Sequence, residues 1–213
     1  MAGITFQIKN LDNLRSELKK INTNGEKAIS ATVKDLKSRA PAWIAQEVVN
    51  VYNIKKSEIT PSKDGKKKAG TIRITGETIE DLALVYKGRL LTPVHFGMTP
   101  KTPPAGKKYT IKATILKGQK KNIGKYLTTR TRGGPYSERS HYILMSTGAS
   151  KEGGTPYIPF QRMSKDRNDL KKFTTVSVPQ MISNAQVSEA IIKRLNEEAA
   201  KRLQHNAERY INK

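Results

Sequence analysis

"TVSVPQMISN" spans residues 175–184 and joins two kinds of periodicity. Thr175, Val176, Ser177 and Val178 alternate as a half-buried strand does. Pro179 then stops ladder pairing, because it has no N–H to donate. Beyond it Val187, Ile191, Leu195, Ala199, Leu203, Ala207 and Tyr210 recur at steps of four and then three. At ~3.6 residues per turn, that is one face of a helix of roughly seven turns. The reading is a strand over 173–178 that closes a sheet, a turn at Pro179, and a helix over 186–212. The helix is expected to cover the sheet, to lie on the N-terminal helices, or to meet a neighbouring subunit. Its six Lys/Arg and four Glu between Gln186 and Lys213 suit an ordinary solvated face.

Working outward, the strongest strand pattern is "KKYTIKATILKG" (107–118). It sets Tyr109, Ile111, Ala113 and Ile115 on one face, with Lys112 and two threonines opposite. "TIRIT" (71–75), "DLALVYKG" (81–88), "TPVHFG" (92–97), "HYILMS" (141–146) and "YIPFQRM" (157–163) add shorter strand candidates. The proline-rich 99–106 stretch reads as loop. The N-terminal part is helical in pattern. Leu11, Leu14, Leu18 and Ile21 share a face behind a possible cap at Asn10. "NTNG" (22–25) reads as a turn. A second helix carries Ala28, Ile29, Val33 and Leu36. It is expected to end at Ala40, since the residue before a proline is biased away from the helical region. Pro41 would then open a third helix with Trp43, Ile44, Val48, Val49, Val51 and Tyr52. A short turn follows with Ser57 as its cap, and "PSKDGKKKAG" (61–70) reads as a solvated break. The expected class is α+β: N-terminal helices, a mostly antiparallel sheet or partial barrel, and a long C-terminal helix. We divide the chain into a helical segment 1–60 and a sheet-rich body 61–213, together one structural unit.

Composition bounds what such a chain can do. It has 213 residues, with 40 Lys+Arg against 18 Asp+Glu, a formal net charge of +22. Such an excess attracts polyanions and says nothing about fold. Leu, Ile, Val and Phe number 46. That is about 22% of the chain, just above the ~20% that signals disorder in highly charged chains. A modest core follows, with stability helped by neighbours in an assembly. With no cysteine there are no disulfides or thiolate metal sites. "MAGITFQIKN" lacks the charged and apolar regions of a secretory signal, and no apolar run nears the ~20 residues of a membrane span. The expectation is a soluble protein made in a cytoplasm.

Catalytic signatures are thin. "GQKKNIGK" (118–125) satisfies the spacing G-x-x-x-x-G-K after a strand. The next residue, however, is Tyr126, where a nucleotide-binding loop needs Ser or Thr for Mg²⁺, and no helix pattern follows to receive phosphates. A basic loop is the better reading. His95, His141 and His205 are far apart in sequence and lack the spacing of a metal set. Carboxylates are scarce from Lys87 to Lys151, which leaves no acid/base pair there. The chain is therefore read as no enzyme, with no cofactor.

The real signal is basic. From Lys101 to Ser137 there are ten Lys/Arg and no Asp or Glu. This stretch reads as a basic loop, mobile toward its end. Lys107, Lys108, Lys112, Lys117, Lys120, Lys121, Lys125, Arg130 and Arg132 are candidate contacts to DNA or to an acidic protein partner. Contact with nucleic acid would be blind to sequence and sensitive to salt. Val187, Ile191, Leu195, Leu203 and Tyr210 are candidates for subunit or sheet packing.

Three anchors carry a resemblance. "EKAISATVKDLKSRAPAWIAQEVVNVYNIKKSEI" (26–59) ends in a Y-x-I-K-K-x-x-I phrase. "IRITG" (72–76) and "LVYKGRLLTPVHF" (84–96) follow as short strands. "SVPQMISN" (177–184) leads into the helix that ends "KRLQHNAERYI" (201–211). Their order and spacing over residues 26–212 resemble the phage and prophage minor tail protein Z family, also called tail completion proteins. The resemblance implies a non-enzymatic virion component at the head-proximal end of the tail. Such a protein acts late in tail assembly, beside the connector, tail terminator and tail tube, in a homo-oligomeric ring. It carries over no active-site residue. The first 25 residues lie outside it, and 101–137 is richer in Lys than the resemblance leads one to expect. The other class that fits the charge is a non-enzymatic nucleic-acid-binding protein.

Overall fold

A 29-residue helix, α1 (Thr23–Val51), runs straight through Pro41. The computed structural model describes residues 23–60, 70–78, 81–105, 107–126, 142–146, 148, 156–163, 166 and 169–211. The helix expected around Leu11 and Leu14 lies outside them. Two sequence readings are corrected by α1. Thr23, Asn24 and Gly25 belong to the helix rather than to a turn, and Ala40 is not its end. Pro41 cannot donate to the carbonyl of Lys37, a defect worth ~3 kcal/mol in an exposed helix. Here Ala40 and Pro41 are buried, as are Ala28, Val33, Leu36, Ile44, Ala45 and Val48. Burial of this long face, at about 1.5–3 kcal/mol for each large apolar side chain, outweighs the single missing bond.

A short helix follows, α2 (Lys56–Ile59). Ser57 is inside it and exposed, so it does not serve as a cap. Two strands, β1 (Gly70–Thr75) and β2 (Ala83–Gly88), pair antiparallel, with Ile72 opposite Tyr86 and Ile74 opposite Leu84. Their turn is held by Asp81. Its carboxylate accepts from the Thr78 backbone N–H and hydroxyl, both at 2.6 Å, and from the Glu77 N–H at 3.2 Å. These bonds, led by the Thr78 hydroxyl, hold the Asp81 carboxyl below its ordinary value of 3.8.

The next strands are β3 (Tyr109–Thr114), β4 (Lys120–Tyr126), β5 (Tyr142–Ser146), β6 (Tyr157–Arg162) and β7 (Leu170–Lys172). β3 pairs with β4, and β6 pairs with both β5 and β7, all antiparallel. The described strands thus make three small antiparallel sheets, with no closed barrel. The stretch 92–97 is not a strand. Pro93–Phe96 forms a 3-10 turn that buries Pro93 and Phe96.

The stretch 173–178 is not a sheet-closing strand either. β7 takes that place beside β6. Residues after it are extended but make isolated bonds: Phe173 N–H to Pro159 O, Thr175 N–H to Leu91 O, and Val176 O from Leu91 N–H. Helix begins earlier than expected, at α3 (Val178–Ile182), with Pro179 buried in its first turn. Ser177 is its N-cap, and with Gln180 it forms a capping box. The Ser177 N–H donates to Gln180 Oε1 at 2.8 Å, and the Gln180 N–H donates back to Ser177 Oγ. The S-x-x-Q spacing that makes this possible is in the sequence. After a short break the long helix α4 (Ala185–Ile211) completes the chain. The class is α+β, with a long helix near each end of the described chain and antiparallel sheets between them.

The chain divides into two compact units. The first comprises the described parts of Met1–Asn50, Lys56–Arg89 and Ser177–Lys213; the second comprises Val51–Lys55 and Leu90–Val176. In the first, α4 lies antiparallel to α1. Arg194 pairs with Glu47, and Asn206 reaches Thr32 and Asp35. Val187, Ile191, Leu195, Ala199 and Leu203 are all at most 3% exposed. α3 packs on β2 in the same unit. In the second unit Met98, Ile111, Tyr142 and Leu144 form a core, joined by Tyr109, Ile123, Tyr157 and Phe173.

Candidate functional site

The basic stretch is not a loop through its middle. Residues 109–126 form the β3–β4 hairpin, a correction to the loop expected over 101–137. Its turn uses a Gln119 N–H to Leu116 O bond, with Gly118 at φ 75 in the left-handed region that glycine adopts without strain. The "GQKKNIGK" motif is this turn followed by β4. Its backbone is engaged in a ladder and opens no helix, so it cannot wrap a phosphate as a nucleotide loop does.

The alternation expected for β3 holds. Ile111 and Ala113 are buried, and Lys112 between them is exposed. β4 breaks alternation at one point. The register slips between Ile111 and Lys112, so that Ile111 faces Gly124 while Lys112 faces Asn122. Ile123 is the extra residue of a β-bulge. As a result Ile123 and Gly124 both turn inward. Ile123 packs on the core, and Gly124 is buried against the Tyr142 ring. The Tyr142 ring meets Phe173 edge-on, with centroids 5.1 Å apart.

The bulge sets the pattern of the outward face. Lys112 stands opposite Asn122, Lys120 opposite Thr114, and Lys125 is the register partner of Thr110. No lysine is directly opposite another lysine on that face, an arrangement that limits like-charge repulsion. Lys107 and Lys108 precede β3, and Lys117 sits in the turn. Lys121 opposes Ala113 at the turn end yet remains exposed. Lys107, Lys108, Lys112, Lys117, Lys120 and Lys121 are all exposed, and among the described residues none of them is paired with a carboxylate. Arg130 and Arg132 lie outside the described residues.

Backbone bonds hold the hairpin in place. On the free side of β3, the Thr99 N–H donates to Lys112 O and the Lys112 N–H to Thr99 O, at 2.9 and 2.8 Å. At its end, Asn53 N–H reaches Ile115 O and Lys117 N–H reaches Val51 O, both at 2.9 Å. The Leu144 N–H donates to the Tyr109 hydroxyl at 3.2 Å. The lysines therefore stand on a fixed frame.

The other sequence candidates fall elsewhere. Val187, Ile191, Leu195 and Leu203 are core residues of the first unit, and Tyr210 is half-buried there. Burial within one chain leaves the first four with no surface to offer a second subunit. His95 lies in the 3-10 turn and His205 is exposed on α4; His141 is outside the described residues. Among the described residues no three His, Asp or Glu side chains gather as a metal site requires, and no helix is long and apolar enough to cross a membrane. Thr110 and Thr114 share the Lys112 face as the alternation of β3 led one to expect; Asn122, opposite Lys112, escaped sequence reading because it lay in a stretch read as loop. No protein-family model matches the chain, and no curated protein and no solved structure is significantly similar to it.

Proposed function

We propose that this chain is a structural, non-enzymatic component of a phage virion. It would complete the head-proximal end of the tail and help to join it to the head. The observation that carries the reading is the ordered set of three anchors over residues 26–212, which resembles the minor tail protein Z family. The β3–β4 hairpin supports it. Its rigid lysine face, without carboxylate partners among the described residues, suits a position beside an acidic partner or the DNA of the channel. Subunits would surround the tail axis as a closed homo-oligomeric ring, the default for such assemblies. The connector, tail terminator and tail tube would be the neighbours. The protein would be made in the host cytoplasm and reside in the virion.

Electron microscopy of lysates with this gene deleted tests the reading. Separate full heads and tails, or joined particles that fail to infect, are expected. Normal, infective particles would remove it. The exposed lysines would then favour the second reading, a nucleic-acid-binding protein outside the virion.

A further inference from the structure

We propose that the outward face of the β3–β4 hairpin binds the phosphate backbone of a nucleic-acid duplex, without regard to base sequence. This deepens the reading above by naming what the lysines meet, and rests on it only in taking the hairpin as the contact with an acidic partner. The surface is Lys112 and Lys120, flanked by Lys108 and Lys117, with Thr114 and Asn122 between them.

Three features select this occupant. Lys112 and Lys120 are diagonal neighbours in the register. Such neighbours stand roughly 7–8 Å apart, so two ammonium groups present separate charges to separate phosphates. A duplex carries one negative charge about every 1.7 Å along its axis, both strands counted, so phosphates are closely spaced for such a pair. The residues between the lysines are hydroxyl and amide bearers, which also donate to phosphate oxygens.

The second feature argues against a protein partner. Among the described side chains the exposed large apolar residues are Leu90, Val94, Met145, Met163 and Ile192, and none of these belongs to the hairpin. Protein interfaces are depleted in Lys and are held by buried aromatic or apolar anchors. Among its described side chains this face has lysines and no anchor. The third feature argues against a single strand. Single strands are held by stacking of bases on exposed aromatic rings. Among the described side chains of the hairpin the one aromatic ring, Tyr109, packs on the hydrophobic core instead, with its hydroxyl receiving the Leu144 N–H.

The test is fluorescence anisotropy of a short labelled duplex with the full-length protein, over a series of salt concentrations. In the variant Lys112→Thr/Lys120→Thr the plot of log K against log salt should become shallower by about 2, near 0.9 for each phosphate that is no longer neutralised. Threonine keeps strand propensity, and Lys112→Arg/Lys120→Arg, which keeps both charges, should retain the parent slope. A control pair on the helices, Lys34→Gln/Lys193→Gln, should leave the slope unchanged. The proposal fails if the threonine pair binds like the parent. It also fails if the arginine pair weakens as much as the threonine pair, or if the control pair does, which would assign binding to net charge. Polyglutamate displacing the duplex as well as unlabelled duplex does would turn the face toward an acidic protein. A single strand bound as tightly as duplex would remove the duplex assignment. Unaltered duplex binding with normal deletion particles would overturn only the tail reading. Failed assembly without duplex binding would overturn only this one.

Discussion

The Asn206 side-chain amide donates to the Thr32 hydroxyl at 3.1 Å, tying residues 174 positions apart on the two long helices. Both side chains are buried. The Thr32 hydroxyl donates in turn to Ala28 O at 2.8 Å, and the Asn206 amide also reaches Asp35 at 3.3 Å. This polar bridge sets the register of α4 along α1 at a place where apolar packing alone would let one helix slide. Thr32→Val keeps the shape but leaves a buried amide short of an acceptor. It should cost about 1–3 kcal/mol, read as a fall in Tm of ~2–4 °C per kcal/mol. The double variant Thr32→Val/Asn206→Leu should recover part of that stability. Strict additivity of the two single changes would show that the pair is uncoupled.

Gly124 is a steric requirement. A Cβ there would overlap the Tyr142 ring, which is itself held edge-on by Phe173. Gly124→Ala should destabilise the second unit by about 1–3 kcal/mol through overpacking. Thermal unfolding followed by near-UV circular dichroism would report it through the tyrosine signal. An unchanged melting curve would mean that the hairpin does not seat on Tyr142.

Tyr86 is 1% exposed, and its hydroxyl has no hydrogen-bond partner among the described residues. Burial pushes its phenol well above the ordinary tyrosine value of 10. The folded state therefore keeps a proton that the unfolded state gives up, and stability conferred below pH ~10 is lost as pH rises beyond it. Tyr86→Phe removes the orphaned group. It should raise stability by ~1 kcal/mol at neutral pH and blunt the alkaline decline. A destabilised phenylalanine variant in a denaturant titration would contradict the assignment.

Asp81 is the opposite case. Its carboxyl lies below 3.8, first through the Thr78 hydroxyl and then through backbone N–H groups. Its contribution to the β1–β2 turn is present above the unfolded value of about 3.9 and is lost as pH falls through the folded one. Carbon-13 NMR titration should place its midpoint below that of an unstructured aspartate. Thr78→Val should move the midpoint upward, and no movement would discount the hydroxyl as the leading cause.

Local regularity made part of this fold legible in advance. The period of α4 over Val187–Tyr210, the alternation of β3, the strands β1, β2, β5 and β6, and the lysine excess between Lys101 and Ser137 each depend on neighbours a few residues away. The capping box at Ser177 was legible too, in its S-x-x-Q spacing, although the alternation of 175–178 pointed to a strand instead.

Long-range packing settled the rest. Pro41 stays inside α1 because the face around it is buried, a gain invisible to local propensity. "KKNIGKY" (120–126) becomes a strand because β3 lies beside it, and its bulge brings Gly124 against Tyr142. The order of residues alone dictates how much positive charge the chain carries and where along it. The fold dictates that Lys112 and Lys120 share one exposed face, because cross-strand register is a long-range property that no spacing along the chain encodes.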